Sequence, residues 1–113
     1  MNTEALNTIK QIREGINLLQ IELNDPALTL QEKGLLADAV INLNRMDDII
    51  INNILHDMID KINSSNAELI ALISRMEAAS EKIAQFSETI KKISKTVGVL
   101  AEITAKAISV GIL

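Results

Sequence analysis

The chain of 113 residues contains no cysteine, tryptophan or tyrosine, and it contains one phenylalanine and one proline. Without cysteine, neither a disulfide nor a thiolate zinc site can form. Aromatic rings supply much of the core and pocket surface of enzymes and β-rich folds, so their near absence argues against both classes. Because one proline and four glycines allow few chain reversals, the composition favours a small number of long helices.

Other absences bear on partners and location. The net charge is −4, so the basic surface that nucleic acid requires is not expected. The start, Met1-Asn2-Thr3-Glu4, lacks the basic and apolar regions of a secretory signal peptide, so we expect a cytoplasmic protein. The charge is uneven, because residues 1–63 carry ten acidic and five basic residues, whereas residues 64–113 carry five and six.

The apolar 48% of the chain is almost entirely aliphatic, and its spacing predicts helices. A three–four spacing over 3–23 predicts a first helix, which Asn24-Asp25-Pro26 ends because the residue before proline avoids the α region. Thr29 followed by Glu32 is a capping box that begins a second helix. We predict an all-α fold of one domain, 1–113, with three helices at 3–23, 30–62 and 66–111.

The most informative pattern is a three–four spacing of apolar residues that continues from Ile51 to Leu100, over about seven heptads. A seam of this length is typical of a coiled coil or an elongated helical bundle. Three helices have difficulty covering it internally, so it predicts self-association or a helical partner. We define the seam as Ile51, Leu55, Met58, Ile62, Leu69, Leu72, Met76, Ile83, Phe86, Ile90 and Ile93.

Two signals conflict inside the seam. Asn63-Ser64-Ser65-Asn66 is a cluster of turn residues, and Ser65 with Glu68 forms a second capping box, which predicts a turn between two helices. The heptad phase nevertheless continues unbroken, which predicts one continuous helix. We favour the turn, because a lone helix of about 75 Å would need partner chains for all of its burial.

The tail, residues 96–113, is the most apolar segment of the chain. A polar line runs along it at steps of three and four residues: Lys95, Gly98, Glu102, Lys106 and Ser109. One interpretation is a buried bundle helix with that line facing water. Another is a membrane-bound helix preceded by lysines that contact anionic headgroups, and a third is a tail that docks into a partner's groove. We expect deletion of 96–113 to leave the rest folded and to abolish membrane or partner binding, whereas unfolding would indicate that the tail belongs to the core. The candidate residues are Lys91, Lys92, Lys95, Val97, Leu100, Ile103, Ile108, Val110, Ile112 and Leu113.

No constellation for catalysis is present. His56 is the only histidine, and one histidine without cysteine does not supply a zinc site, so we expect a solvated surface side chain. We therefore predict a protein that is not an enzyme, with no cofactor and no metal, which binds a second copy of itself or a helical protein partner. The alternative is a membrane-active protein whose C-terminal helix inserts into the bilayer or lies on it.

Overall fold

Four α-helices make up most of the part of the chain that the computed structural model describes, which is residues 3–52 and 55–110, with side chains in the second range from Met58 onward. The helices are α1 (Thr3–Leu23), α2 (Leu30–Ile51), α3 (Leu55–Ala78) and α4 (Glu81–Ser109). The all-α prediction is confirmed, and the bounds of the first helix match those predicted. The prediction of three helices is wrong, because the chain breaks at two places that the sequence did not indicate.

The first unexpected break ends α2 at Ile51, where a helix over 30–62 was predicted. Asn52 is the C-cap, and both its backbone N–H and its side-chain amide donate to the carbonyl of Asp48, each at 2.9 Å. Asparagine side chains compete in this way with the regular helical pattern. The alternative of one continuous helix through the second and third segments is therefore also wrong.

The predicted turn at 63–66 does not exist, because α3 runs straight through it. The polar groups there bond to neighbouring helices instead of capping a new one. The Ser65 carbonyl accepts from the Asn42 amide at 3.0 Å, and the Asn66 side chain exchanges hydrogen bonds with Ser94. The capping-box pattern thus marks contacts between helices.

The second unexpected break falls at Ala79–Ser80, inside the helix predicted over 66–111. Ser80 adopts an extended conformation (φ −99°, ψ 159°) and caps α4, and its Oγ accepts from the Ile83 N–H at 3.3 Å. Neither glycine nor proline occurs at this point. The connection between α3 and α4 is therefore a two-residue turn made of residues that a helix also tolerates.

Each helix packs against its neighbours in sequence, and α1 also packs against α4, so the four form a closed bundle. Adjacent helices are antiparallel, as shown for α1 and α4 by the Gln11–Thr96 hydrogen bond (2.9 Å) and the Lys82–Glu22 ion pair (2.9 Å). The Cα extents of 51 × 21 × 18 Å describe an elongated bundle. Because Gln11 lies opposite Thr96 in this antiparallel pair, Thr3, eight residues before Gln11, lies opposite Thr104, eight residues after Thr96. The residues of α4 after Thr104 therefore extend past the start of α1.

The core is a continuous set of aliphatic side chains contributed by all four helices. Gly15 brings α1 close to α4, because a Cβ at this position would overlap the Ile93 Cδ1. Full burial of a leucine or isoleucine contributes about 2–3 kcal/mol, so this set is the main source of stability. Its fully buried members are Ile12, Leu19, Leu36, Leu43, Met46, Ile50, Ile62, Leu69, Met76, Ile83, Ile90 and Leu100.

A network of polar side chains joins the two connections at one end of the bundle, and we call it the loop-end network: Glu22, Asp25, Thr29, Glu32, Ser80 and Lys82. The predicted capping box is present, since Thr29 and Glu32 exchange hydrogen bonds of 3.0 and 3.1 Å. The other Glu32 oxygen accepts from the Ser80 hydroxyl at 2.5 Å, and Lys82 bonds both Glu22 and Asp25. One carboxylate thus links the N-caps of α2 and α4.

Candidate functional site

The seam lies inside the bundle. Eight of its eleven residues are buried: Met58, Ile62, Leu69, Leu72, Met76, Ile83, Ile90 and Ile93. Phe86 is half-buried against the core, Ile51 is exposed at the end of α2, and the Leu55 side chain lies outside the described residues. The turn at Ala79–Ser80 folds the α4 part of the seam back onto the α3 part. The four helices therefore bury the apolar seam residues that we expected three helices to leave exposed.

The tail forms the second half of α4, and its inner face belongs to the core. Val97, Leu100, Ala101 and Thr104 are buried, and Ile108 is half-buried. On the predicted polar line, Lys95, Glu102, Lys106 and Ser109 are exposed and Gly98 is half-buried. Ile112 and Leu113 lie outside the described residues. A core helix with an outward polar face is the sequence interpretation that this burial matches.

The tail also presents apolar side chains to solvent. Val99, Ile103 and Val110 are 47%, 36% and 66% exposed. Val110 is the C-cap of α4, and the i, i+4 and i+11 spacing of the three places them on one line of the helix surface. Lys92, Lys95 and Lys106 continue the same line at helical spacing. We call Lys92, Lys95, Val99, Ile103, Lys106 and Val110 the outer stripe.

The lysines near the outer stripe fall into two electrostatic groups. Lys91 bonds Glu77 at 2.5 Å and Glu88 at 3.3 Å, and these carboxylates raise the pKa of the Lys91 ammonium above its ordinary value. The Lys91 ammonium is therefore already paired within the chain. Lys92, Lys95 and Lys106 form no ion pair within the described residues, so their charges face solvent.

A shallow groove of about 510 Å³ between α1 and α4 lies next to the lysine end of the outer stripe. Ile93 lies in its lining, Gln11, Glu14 and Leu18 line it from α1, and Lys92 and Lys95 line it from α4. It is open to solvent and carries charges of both signs. Its chemistry fits contact with a side chain of a partner better than enclosure of a small molecule.

The remaining exposed large apolar side chains are distributed over the other helices. Leu6, Leu18 and Ile21 lie on α1, Leu30, Ile41 and Ile51 on α2, and Ile70 on α3. Leu18 and Ile21 are three residues apart and so are neighbours on α1, whereas the others are exposed singly, as is normal on protein surfaces. The sequence prediction included Ile103 and Val110 but missed Val99, whose signal was its i, i+4 spacing to Ile103.

Neither a metal site nor a membrane span occurs in the part of the chain that the structure describes. The side chain of His56 lies outside that part. Among the residues that are described, no group of three histidine, cysteine, aspartate or glutamate side chains is placed to hold a metal ion. Within the same residues, no helix is long and apolar enough to cross a bilayer.

Fold and surface together define an all-α, antiparallel four-helix bundle with a basic and apolar stripe on the outside of its last helix. No known family model matches the sequence, and neither a curated protein nor a solved structure matches it.

Proposed function

We propose that this protein is not an enzyme and works by binding another helix, either in a second copy of itself or in a helical protein partner, through the outer stripe of α4. The observation that carries the proposal is the alignment of Val99, Ile103 and Val110, all exposed, on one line of the helix. Amphipathic helices dock onto partners through apolar residues at this spacing. The buried seam then stabilises the fold of the chain itself, and the outer stripe is the surface that contacts the partner.

The charges beside the stripe indicate the kind of helix that fits it. Lys92, Lys95 and Lys106 have no ion pair within the described residues, so a partner helix with acidic edges would gain favourable contacts at the rim. The first half of the chain carries ten acidic and five basic residues, with Asp38 and Asp48 exposed on α2. A second copy therefore offers the required sign of charge.

The test is the native mass of the wild-type protein and of a stripe variant, measured by light scattering across a concentration series. We expect wild type to self-associate, or to bind its helical partner, and the double variant Val99→Glu/Ile103→Glu to be a monomer that does neither, because it places charges where apolar contact is required. Ile41→Glu and Ile70→Glu are matched controls, since these residues are 57% and 53% exposed on α2 and α3. A wild type that stays monomeric at tens of micromolar and binds no helix would contradict the proposal.

The same stripe supports a second candidate, contact with an anionic membrane surface on which α4 lies. Three lysines on one line with three apolar residues match the composition of interfacial helices, and each lysine contributes about 1 kcal/mol near an anionic surface. Flotation with anionic and with neutral vesicles separates the candidates. Binding to anionic vesicles alone, lost in Val99→Glu/Ile103→Glu, would favour lipid, whereas no flotation together with self-association would favour the protein partner.

A further inference from the structure

The connection between α3 and α4 has a property that the other described connection lacks. Residues 24–29 include Pro26 and end at Thr29, which forms a capping box with Glu32, and these features force a turn. Ala79 and Ser80, by contrast, are flanked by Ala78 and Glu81, and none of the four prevents a helix from continuing. The turn depends on the Ser80 cap and on the Ser80–Glu32 hydrogen bond.

The buried residues on the two sides of this turn have the same heptad phase. Met76 and Ile83 are seven residues apart, and both are fully buried. Asn66 and Ser94, which bond each other, are 28 residues apart, or four heptads, and each lies 14 residues from Ser80. A turn between two helices does not require this agreement. A single straight helix with one continuous apolar side does require it.

We propose that α3 and α4 also straighten into one helix over 55–109 and that two such chains exchange their α4 helices, giving a domain-swapped dimer. Each half of the dimer is then a bundle of α1, α2 and α3 from one copy and α4 from the other. The contacts of α4 with the other helices are kept but become intermolecular, including Lys82 with Asp25 and Asn66 with Ser94, whereas the Ser80 cap is lost. Exchange of an identical element across a short hinge needs no new interface.

The preserved heptad phase allows the exchange to give a closed, two-fold symmetric dimer. Because the buried sides of α3 and α4 lie on one side of the straight helix, two copies pair antiparallel along their whole length about a two-fold axis close to the hinge. A contact between residues 66 and 94 within the monomer becomes the same contact between copies. This self-association goes beyond the proposed function, because it uses the seam and not the outer stripe.

Two hinge variants shift the equilibrium in opposite directions. Ser80→Ala removes the N-cap and the bond to Glu32. The population ratio of straight helix to turn should therefore rise about fivefold per chain, and the dimer fraction should rise with it. Glu81→Pro favours the turn, because proline is well tolerated at the first helical position and Ser80 already has the extended conformation that must precede it. In the straight helix the same proline would break an interior turn, so this variant should be a monomer.

The decisive measurement uses cysteine pairs in the otherwise cysteine-free chain. Glu77 and Lys91 join α3 to α4 at the surface (2.5 Å), and Arg45 and Glu68 join α2 to α3 (2.7 Å). In the Ser80→Ala background, the dimer fraction is treated with a short bismaleimide and run on a denaturing gel. Glu77→Cys/Lys91→Cys should give covalent dimers, whereas the control Arg45→Cys/Glu68→Cys should give monomers only, because α2 and α3 stay in one copy.

Each outcome decides the proposal. Cross-linked dimers from the first pair, none from the second, and a monomeric Glu81→Pro would support it. A dimer in which both pairs cross-link only within one chain would overturn it, as would the absence of any dimer in Ser80→Ala. Introducing Val99→Glu/Ile103→Glu into the same background separates the two surfaces, because a swapped dimer should survive that change while a dimer through the outer stripe should not.

Discussion

At the scale of single residues, the space around a side chain and the charges near it determine its effect on stability, which composition alone does not predict. Gly15 and Gly34 both lie inside helices, yet one is packed between α1 and α4, whereas a Cβ added at the other would have nothing within 4 Å. The sequence does not distinguish them, because the helical spacing around each glycine shows the face it occupies but not how closely the next helix approaches.

Replacing each glycine separately by alanine should therefore have different effects on stability. Gly34→Ala should raise the free energy of unfolding by about 1 kcal/mol, the difference in helix propensity. Gly15→Ala gains the same amount but must displace the Ile93 side chain, and overpacking costs about 1–3 kcal/mol, so we expect a net loss or no gain. Urea unfolding of both variants measures this, and equal stabilisation by the two would show that α1 and α4 are farther apart than described.

The loop-end network predicts a loss of stability in acid. The Ser80 hydroxyl and the Thr29 N–H lower the pKa of the Glu32 carboxyl, and Lys82, with the Ala27 N–H, lowers that of Asp25. A carboxyl whose pKa is lower in the folded state stabilises the fold above its unfolded pKa, and this contribution is lost as the pH falls through the folded value. The melting temperature should thus hold from pH 7 to pH 5 and fall below about pH 4.

Glu32→Gln should weaken this acid dependence and lower the melting temperature at pH 7, as thermal melts across the pH range would measure. Glu102→Gln is the control, since that carboxylate has no bonding partner within the described residues. An acid transition identical in wild type and Glu32→Gln would argue against a contribution from this network.

At the scale of the helices, sequence signals correctly predicted the helix ends that are determined by bonds within a few residues. Pro26 and the capping box at Thr29 fixed the end of α1 and the start of α2, because both act through the backbone within a few residues. Ser65 and Glu68 carry the same box pattern, but Ser65 lies inside α3 and its carbonyl bonds Asn42. Only the position of a neighbouring helix decides between those roles, so the sequence pattern did not.

The break at Ala79–Ser80 was missed for a related reason. No residue there disfavours a helix, and the apolar phase continues across it, so periodicity indicated a single helix. What ends α3 is the Ser80 cap together with its bond to Glu32, a residue 48 positions away. The outer stripe was only partly predicted, because residues 96–113 are so rich in apolar side chains that spacing alone does not separate core from surface.

The same distinction between inner and outer faces gives a prediction for charge substitution. Ile83→Asp buries an unpaired carboxylate in the core and should lower the free energy of unfolding by about 3 kcal/mol or more. Ile70→Asp, on the exposed side of α3, should change it by about 0.5 kcal/mol or less. Denaturant midpoints followed by circular dichroism measure both, and similar midpoints for the two variants would overturn the assignment of Ile83 to the core.

At the scale of the whole molecule, the structure reverses one expectation. The sequence predicted that deletion of 96–113 leaves the rest folded. The deletion removes Val97, Leu100, Ala101 and Thr104, all buried against the other helices. We now expect it to expose the apolar sides of α1 and α3 and to cause unfolding or aggregation.

A shorter deletion provides the control for this prediction. Removal of 105–113 takes away only the part of α4 that extends past α1, so the melting temperature should fall by a few degrees at most while the outer stripe loses Lys106 and Val110. Thermal melts of both truncations measure the difference. A folded protein lacking 96–113 would show that three helices suffice for a stable core.

Among the described residues, the contacts at the two ends of the bundle differ, and we expect the bundle to open from one end first. Hydrogen bonds and ion pairs of the loop-end network fasten one end, whereas at the other end the last turn of α4 extends past the described start of α1. Backbone amides of 105–110 should therefore exchange with deuterated solvent first, those near Thr104 next, and those between Ile83 and Ile93 last. The molecule would then unfold from the C-terminal end of α4, and Ile103 and Val110 would leave the bundle before the remaining helices separate.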